Sequence, residues 1–472
     1  MANLNLKSNI TYTQDQRTAF TKLNEFIKSK NLIFTLSGSA GTGKTTVLNE
    51  FLNNQCSHLK IAVTAPTHKA VRIVEKITGF TGKTLHSLHG LRPNTDLANF
   101  DISNPQFDPF GNPQIQYFNL LVVDECSQVN RSLKQLNESK ARLYNVKIIY
   151  VGDKYQLPPI NETISSTFSE NGVELKEIVR QKDTNPVIDL LQMLRYDIEK
   201  SRDTFLKEVT YCDAFKYHNK ETNEGLIILN REDFNSLLYK KFTSNPKEFQ
   251  YIAWKNETVN NYAYDIRREI TQSTDILVKG DLLMGYNNIY DDFLTLVLIN
   301  SETYEVTNVV KGINDYGYEV FYIKLKSEFA STQYTFQVLN HKHYESLVKY
   351  TNKLTTLHTS AVKATHGARR DKWKEYYDFK NSILTMIDIP ISTPHGKTTY
   401  ANRDLNYNYS ITAHKSQGST FTNVFTDIHD IIYFTNGKLV KNNYYNPKAE
   451  ELRNKLLYVA LSRANKNNYV VI

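Results

Sequence analysis

Cysteine is nearly missing from this chain, with only Cys56, Cys126 and Cys212 in 472 residues. The three share no metal-ligand spacing and form no even-numbered framework. That excludes a disulfide-stapled scaffold and a cysteine zinc centre, and a reducing, cytoplasmic setting is expected. No apolar run approaches the roughly 20 residues of a membrane span, so no membrane partner is expected. Met1 to Thr13 is polar and lacks a signal-peptide core. Acidic residues are in deficit, 49 against 57 Lys and Arg. The resulting net charge of +8 and pI near 8.9 favour an anionic partner, mildly. The length predicts about three domains. A hydrophobic share of 40% with 22% charged residues is that of a soluble globular protein.

What the chain does have is one organising stretch, from Leu32 to Thr46. A short apolar run reads as a buried strand, and Thr46 to Leu52 carries apolar residues at helical spacing. Between them, Gly38 to Thr45 matches G-x-x-x-x-G-K-[ST], the phosphate-binding loop. Glycines let the backbone turn its N–H groups onto phosphate oxygens, and the helix adds its positive end. Lys44 supplies a point charge for the β/γ-phosphates, and the Thr45 hydroxyl can bind Mg²⁺.

In chain order, Thr13 opens a helix whose apolar face carries Phe20, Leu23 and Ile27. Gln16, three residues on, completes a capping box or bonds an adenine edge, and the two roles are compatible. Polar loops follow the next predicted strands, with Thr67 and His68 in one and Thr84 and His86 in another. Such residues suit a phosphate backbone, although for any single one of them an N-cap or solvated turn is the simpler role. Gly90 to Tyr117 carries Pro93, Pro105, Pro109 and Pro113 with Phe100, Phe107 and Phe110, and reads as an insertion projecting from a sheet. The strand Phe118 to Val123 then ends in Asp124 and Glu125. Asp124 can hold Mg²⁺ through water, and Glu125 can polarise an attacking water.

A further strand ends at Asp153, and Gln156 beyond it can sense a γ-phosphate. Arg180 closes this half. Repeated strand–loop–helix units mean a parallel sheet with helices on both faces. A second such unit starts near Phe249, with Asn256 placed to cap a helix reaching about Ile270. From Asp275 to Leu325, short β-rich runs alternate with Gly/Asn/Asp turns, as in a small inserted barrel. Leu347, Tyr350, Leu354 and Leu357 keep helical spacing. The pattern yields at Gly367 to Arg370 and resumes with Trp373, Tyr377 and Leu384, an αα-hairpin whose aromatics read as core. The last helix delivers Arg463, either to a γ-phosphate or as a simple C-terminal cation.

Taken together, these pieces resemble superfamily 1 helicases. The matching stretches are Gly-Ser-Ala-Gly-Thr-Gly-Lys-Thr (38–45), Ala-Pro-Thr-His (65–68), Thr-Leu-His-Ser (84–87), Asp-Glu (124–125), Gly-Asp-Lys-Tyr-Gln (152–156), His-Lys-Ser-Gln-Gly (414–418) and Tyr-Val-Ala-Leu-Ser-Arg (458–463). The wording is closest to the RecD-like (1B) branch and, within it, to the Dda helicases of T-even-like phages. The resemblance implies an α/β fold of two RecA-like parallel-sheet motor domains. One motor would span 1–180, with a pin inserted at about 90–117. The other would comprise 181–274 and 401–472. An SH3-like β-barrel would occupy 275–400, with a helical tower at about 341–385. The stretch Asp388 to Asn408 is longer than the resemblance accounts for.

By the same resemblance, ATP and Mg²⁺ are the cofactors. Lys44, Glu125, Gln156, Arg180 and Arg463 would be catalytic, with Thr45 and Asp124 on the metal. Gln16, Gly38, Ser39, Ala40, Gly41, Thr42, Gly43, Thr46, Gln417 and Gly418 would complete the nucleotide site. Thr67, His68, Thr84, His86, Phe100, Asn256, His414 and Lys415 would lie along DNA, with Phe100 at the pin tip. The implied activity is ATP-dependent 5′→3′ travel on single-stranded DNA with duplex unwinding, in phage replication or recombination. Single-stranded and forked DNA would be the partners, together with single-strand-binding protein or replisome components, and the chain would act as a monomer. Two alternatives stay open: a translocase that strips proteins without processive unwinding, and a nucleotide-gated DNA-binding module. Glu125, Gln156 and Arg463 argue against the module, which has no need of a water-activating acid. A nucleotide kinase on the same loop fails on length and on the second α/β unit.

Overall fold

The strands that carry the candidate site are apolar on both faces, as a parallel sheet covered by helices on each side requires. The computed structural model describes residues 12–93, 107–109, 111–159, 162, 165–168, 171–177, 185–291, 295–393, 396, 398–441, 444–445 and 447–472. Its first half runs α1 (Gln14–Lys28), β1 (Ile33–Gly38), α2 (Lys44–Gln55), β2 (Ile61–Ala65), α3 (His68–Thr78), β3 (Gly82–Thr84) and α4 (Leu85–Leu88). It continues through β4 (Leu91–Pro93), β5 (Phe107–Pro109), β6 (Leu120–Val123), α5 (Arg131–Tyr144), β7 (Lys147–Gly152) and β8 (Gly172–Leu175). Six strands form one sheet in the order β3-β2-β6-β7-β1-β8, with every pair parallel. Alternate residues leave by opposite faces. Val122, Ile149 and Val151 pack with Phe20, Leu23 and Phe51, while Val123, Ile148 and Tyr150 pack with Leu133 and Ala141. At about 1.5–3 kcal/mol for each large apolar side chain buried, both faces contribute to holding the strand ends in place.

The insertion begins at Gly90, whose φ of 65° and close approach to Gly111 leave no room for a Cβ. There β4 pairs with β5.

The chain then builds α6 (Val187–Lys200), α7 (Thr204–Tyr211), β9 (His218–Asn219), β10 (Glu224–Leu229), α8 (Arg231–Ser244), β11 (Phe249–Ala253) and α9 (Asn256–Thr271). A separate unit made of residues 260–410 follows. It holds β12 (Leu282–Gly285), β13 (Ile289–Tyr290), β14 (Leu296–Leu298), β15 (Thr303–Ile313), β16 (Glu319–Ser327) and β17 (Gln333–Leu339). After these come α10 (Tyr344–Lys363), α11 (His366–Ser382), β18 (Ile389–Ser392), β19 (Thr398–Ala401) and β20 (Leu405–Tyr407). Five of its strands make an antiparallel sheet, β17-β16-β15-β12-β20. Tyr350, Leu354, Trp373, Tyr376 and Phe379 are buried against Val320 and Leu339, so the aromatics of the helical hairpin are core. The hairpin turns at Ala364 and Thr365 rather than at Gly367 to Arg370, which belong to the first turn of α11. Glycine is cheap there because the first turn lacks half its hydrogen bonds. The long stretch after Asp388 is the β18–β19 hairpin, whose Ile389, Ile391 and Ala401 enter the same core.

The chain ends with β21 (Ser410–Thr412), β22 (Phe421–Asp427), α12 (Ile428–Leu439), β23 (Val440–Lys441), β24 (Tyr444–Tyr445), α13 (Pro447–Leu461) and β25 (Ala464–Val471). These complete a second six-stranded sheet in the order β21-β11-β22-β25-β10-β9. β11, β22, β25 and β10 run parallel to one another, and β9 pairs antiparallel with β10.

Candidate nucleotide site and nucleic-acid face

The loop between β1 and α2 is shaped by its glycines. Gly41 and Gly43 sit at φ 83° and 80°, where a Cβ is strained. A Cβ on Gly38 would lie 2.7 Å from Thr42 Oγ1. Thr42 is fully buried and donates from Oγ1 to Ser39 O at 2.9 Å. Lys44 Nζ donates to the carbonyls of Gly38 (2.7 Å) and Ser39 (3.0 Å), across the mouth of the loop. Thr45 stands in the first turn of α2, and its hydroxyl makes no hydrogen bond among the described residues. Ala40 is half-buried and Thr46 exposed.

Gln16 completes the capping box, with Oε1 accepting from Thr13 N at 3.1 Å. Its Nε2 donates to Thr42 O at 3.1 Å, so the same side chain braces the phosphate loop. An amide has two donors and two acceptor sites, so Gln16 retains capacity for a base edge.

Asp124 and Glu125 leave the end of β6, with Glu125 in left-handed backbone at φ 49°. Both are half-buried, and burial is the main influence on their ionisation. It raises the Asp124 pKa against the pull of a backbone hydrogen bond and Lys44. Glu125 is raised to about 7 by burial and then by the Asp124 charge, against Arg463 and Lys44. Gln156, beyond β7, is buried, and its Oε1 has no hydrogen-bond partner among the described residues.

The second sheet delivers its residues to the same place. Gln417 Nε2 donates to Leu157 O at 3.2 Å. A Cβ on Gly418 would lie 3.5 Å from Glu125 Oε1, so this glycine faces the acid directly. Arg463 is 4% exposed and donates to Val459 O (2.9 Å), Ser419 O (3.2 Å) and Ser462 Oγ (2.8 Å). Tyr458, one turn earlier, donates to Asp153 Oδ2 at 2.9 Å. Arg180 lies outside the described residues.

The residues present fit a magnesium-bound nucleotide. Two carboxyls at the end of β6 resist ionisation, Gln156 keeps a buried acceptor without a donor among the described residues, and the Thr45 hydroxyl is uncommitted there. Among the described residues, no three His, Cys, Asp or Glu side chains converge as a metal cage.

Comparison with known proteins bears on the same loops. Residues 11–207 match the family model described as an AAA domain. An uncharacterised protein of Acanthamoeba polyphaga mimivirus, R530, is 26% identical over 505 residues, covering 92% of this chain and 96% of that one. The ATP-dependent DNA helicase Dda of Enterobacteria phage T4 is 24% identical over 412 residues, 81% of this chain and 89% of Dda. Over most of its length the chain is similar to RecD and Dda helicases. Its fold agrees: a Bacteroides Pif1 helicase, solved with ADP-AlF3 and ssDNA, matches at a TM-score of 0.50 and 17% identity, over 98% of this chain and 92% of that one.

The residues expected along DNA gather at two sheet ends. Ala65 pairs with Thr84, which brings Thr67 and His68 beside Thr84 and His86. Both threonines are N-caps, Thr67 accepting from Ala70 N and Thr84 from Ser87 N, each at 3.2 Å. The capping role is therefore real. His68 is held below its ordinary pKa by burial and by Arg72. Burial and His89 push His86 down to about 4. On the second sheet, Asn256 follows β11 while His414 and Lys415 follow its neighbour β21. Asn256 and His414 are exposed.

Asn256 is not the cap expected of it, because it lies inside α9 and the chain entering that helix is held by Asp430. Asp430 Oδ2 accepts from Trp254 N (2.8 Å) and Lys255 N (3.0 Å), and Oδ1 accepts from Thr258 (2.7 Å). Nothing in the sequence signalled Asp430, which is 175 positions from Lys255. Phe100 lies outside the described residues.

Proposed function

We propose that this chain is an ATP-dependent DNA helicase that travels 5′→3′ on single-stranded DNA and opens duplex, in the replication or recombination of phage DNA. One observation carries the reading: Glu125 is faced by Lys44 from the first sheet and by Gly418 and Arg463 from the second. An acid so placed polarises the attacking water, Gln156 is assigned to sense the γ-phosphate, and the two cations neutralise charge on the transferring phosphoryl group. Thr45 and Asp124 would hold Mg²⁺, which would supply further neutralisation of phosphate charge. Arg180 joins Arg463 in this role.

The site draws on both sheets, so turnover changes the attraction between them, and alternate grip on DNA turns that change into travel. Thr67, His68, Thr84 and His86 hold the strand on one motor, and Asn256, His414 and Lys415 on the other. We assign the motors to 1–180 and to 181–274 with 401–472, the pin to 90–117 with Phe100 at its tip, and an accessory domain to 275–400. Binding is driven by phosphate charge and is therefore salt-sensitive and sequence-tolerant. The chain acts as a monomer, with single-strand-binding or replisome proteins as its neighbours in the host cytoplasm.

The test is unwinding of a labelled duplex bearing either a 5′ or a 3′ single-stranded tail, with ATP and Mg²⁺. Opening from the 5′ tail alone is expected. Opening from the 3′ tail alone overturns the polarity. If neither opens while single strands still stimulate ATPase, a protein-stripping translocase replaces the helicase.

A further inference from the structure

Arg195, on α6, stands at the phosphate loop without a carboxylate. Its Nη1 donates to Ser39 Oγ at 2.9 Å, its one hydrogen bond among the described residues, and no ion pair there includes it. Its natural helical partner would be Glu199, four residues on. That acid is already taken, by Tyr155 Oη at 2.6 Å and by Lys154 Nζ at 3.5 Å. The guanidinium instead lies over the Tyr155 ring, 6.0 Å from its centroid. A guanidinium has five N–H donors, and one of them is accounted for here.

We propose that Arg195 is a nucleotide-contacting residue that binds the γ-phosphate end of a nucleoside triphosphate held on the 38–45 loop. The inference rests on the reading of that loop as an ATP site. The position is set by Ser39. Its carbonyl receives Lys44 Nζ, the cation that serves β- and γ-phosphates, while its hydroxyl receives Arg195. Arg195 also sits where its contact can be passed on. Tyr155, beneath the guanidinium, meets Tyr458 of α13 edge-on at 6.0 Å, and α13 ends two residues before Arg463. Exchange of Ser39 for a phosphate oxygen therefore reaches the helix that delivers the second-sheet arginine.

Equilibrium binding of MgADP and of a non-hydrolysable triphosphate, AMP-PNP, tests this in the full chain, in Arg195→Gln and in Arg195→Lys. Arg195→Gln is expected to weaken AMP-PNP about tenfold or more while leaving ADP within about twofold, because a charge-assisted hydrogen bond to the γ-phosphate is lost. Arg195→Lys should fall between, with an unchanged melting temperature in both variants. Equal weakening of both nucleotides overturns the proposal, since Arg195 then only shapes the loop, and so does an unchanged preference. If the unmodified chain binds neither nucleotide, the reading of the loop fails and this inference fails with it. If it binds both and Arg195→Gln keeps the preference, this inference fails alone.

Discussion

In the unit formed by residues 260–410, Arg267 meets Asp281 through two hydrogen bonds of 3.0 Å, and Lys380 meets Asp404 at 2.6 Å. Both carboxylates are fully buried and take further donors, Asp281 from Val278 N and Asp404 from Thr385 N and Asn287 Nδ2. At the phosphate loop the cations are supported differently, Lys44 by two carbonyls and Arg195 by one hydroxyl. A buried charge is costly unless it is paired. A cation matched inside the fold therefore specifies structure, while one resting on neutral acceptors keeps its charge for a ligand.

The comparison breaks most visibly at Lys44. Lys44→Ala should abolish DNA-stimulated ATP turnover, a loss of at least about 10²–10³ in kcat, with little change in melting temperature. Normal turnover would remove the site assignment. The opposite pattern is expected in the inserted unit. Arg267→Met leaves Asp281 buried and uncompensated, which costs about 3–5 kcal/mol of stability in denaturant unfolding. The double change Arg267→Met with Asp281→Leu should recover most of that loss. Turnover per folded molecule should hold in both variants. A large drop in turnover would mean that this ion pair, too, serves the reaction.

A smaller effect separates capping from DNA contact. Thr67→Ala should cost about 1 kcal/mol through loss of the α3 cap, whereas Thr67→Asn restores an acceptor and most of the stability. If Asn also restores single-strand affinity, the cap alone positions the face. If affinity stays low, the threonine itself touches the strand.

The motor was legible in the sequence because its chemistry fixes covalent spacing. Gly38 to Thr45 must be contiguous to wrap a phosphate, and Asp124 and Glu125 must end one strand. The apolar strands declared their parallel sheet for the same reason, being covered on both faces. What stayed hidden depends on contacts between distant positions. Ser39 and Arg195 lie 156 apart, and Arg195 sits in no recognisable pattern. Asp430 holds the entry to α9 across the second sheet, so a local reading gave the cap to Asn256 instead. The hairpin after Asp388 was unreadable because its alternation serves a core made by α10 and α11.

The finest distinction concerns whether the histidines on the proposed DNA face carry charge. Burial holds His68 below its ordinary pKa and His86 at about 4, so His86 is neutral from pH 8 to pH 6. Unfolding releases it to an ordinary value near 6.5, so the unfolded chain binds the proton first. Its contribution to stability is therefore nil above pH 7, becomes destabilising as the pH drops below about 6.5, and levels off below about 4. His86→Asn should flatten that acid limb. The same neutrality bears on DNA, because only charged groups release counterions. The slope of log affinity against log salt should then differ between the unmodified chain and His86→Asn by the same amount at pH 8 and pH 6. A slope that steepens by about one counterion at pH 6, only when His86 is present, would mean that bound phosphate pulls a proton onto it. The histidine would then join the cations that the fold leaves for its ligand, and the contrast drawn between paired and waiting charges would extend to the DNA face.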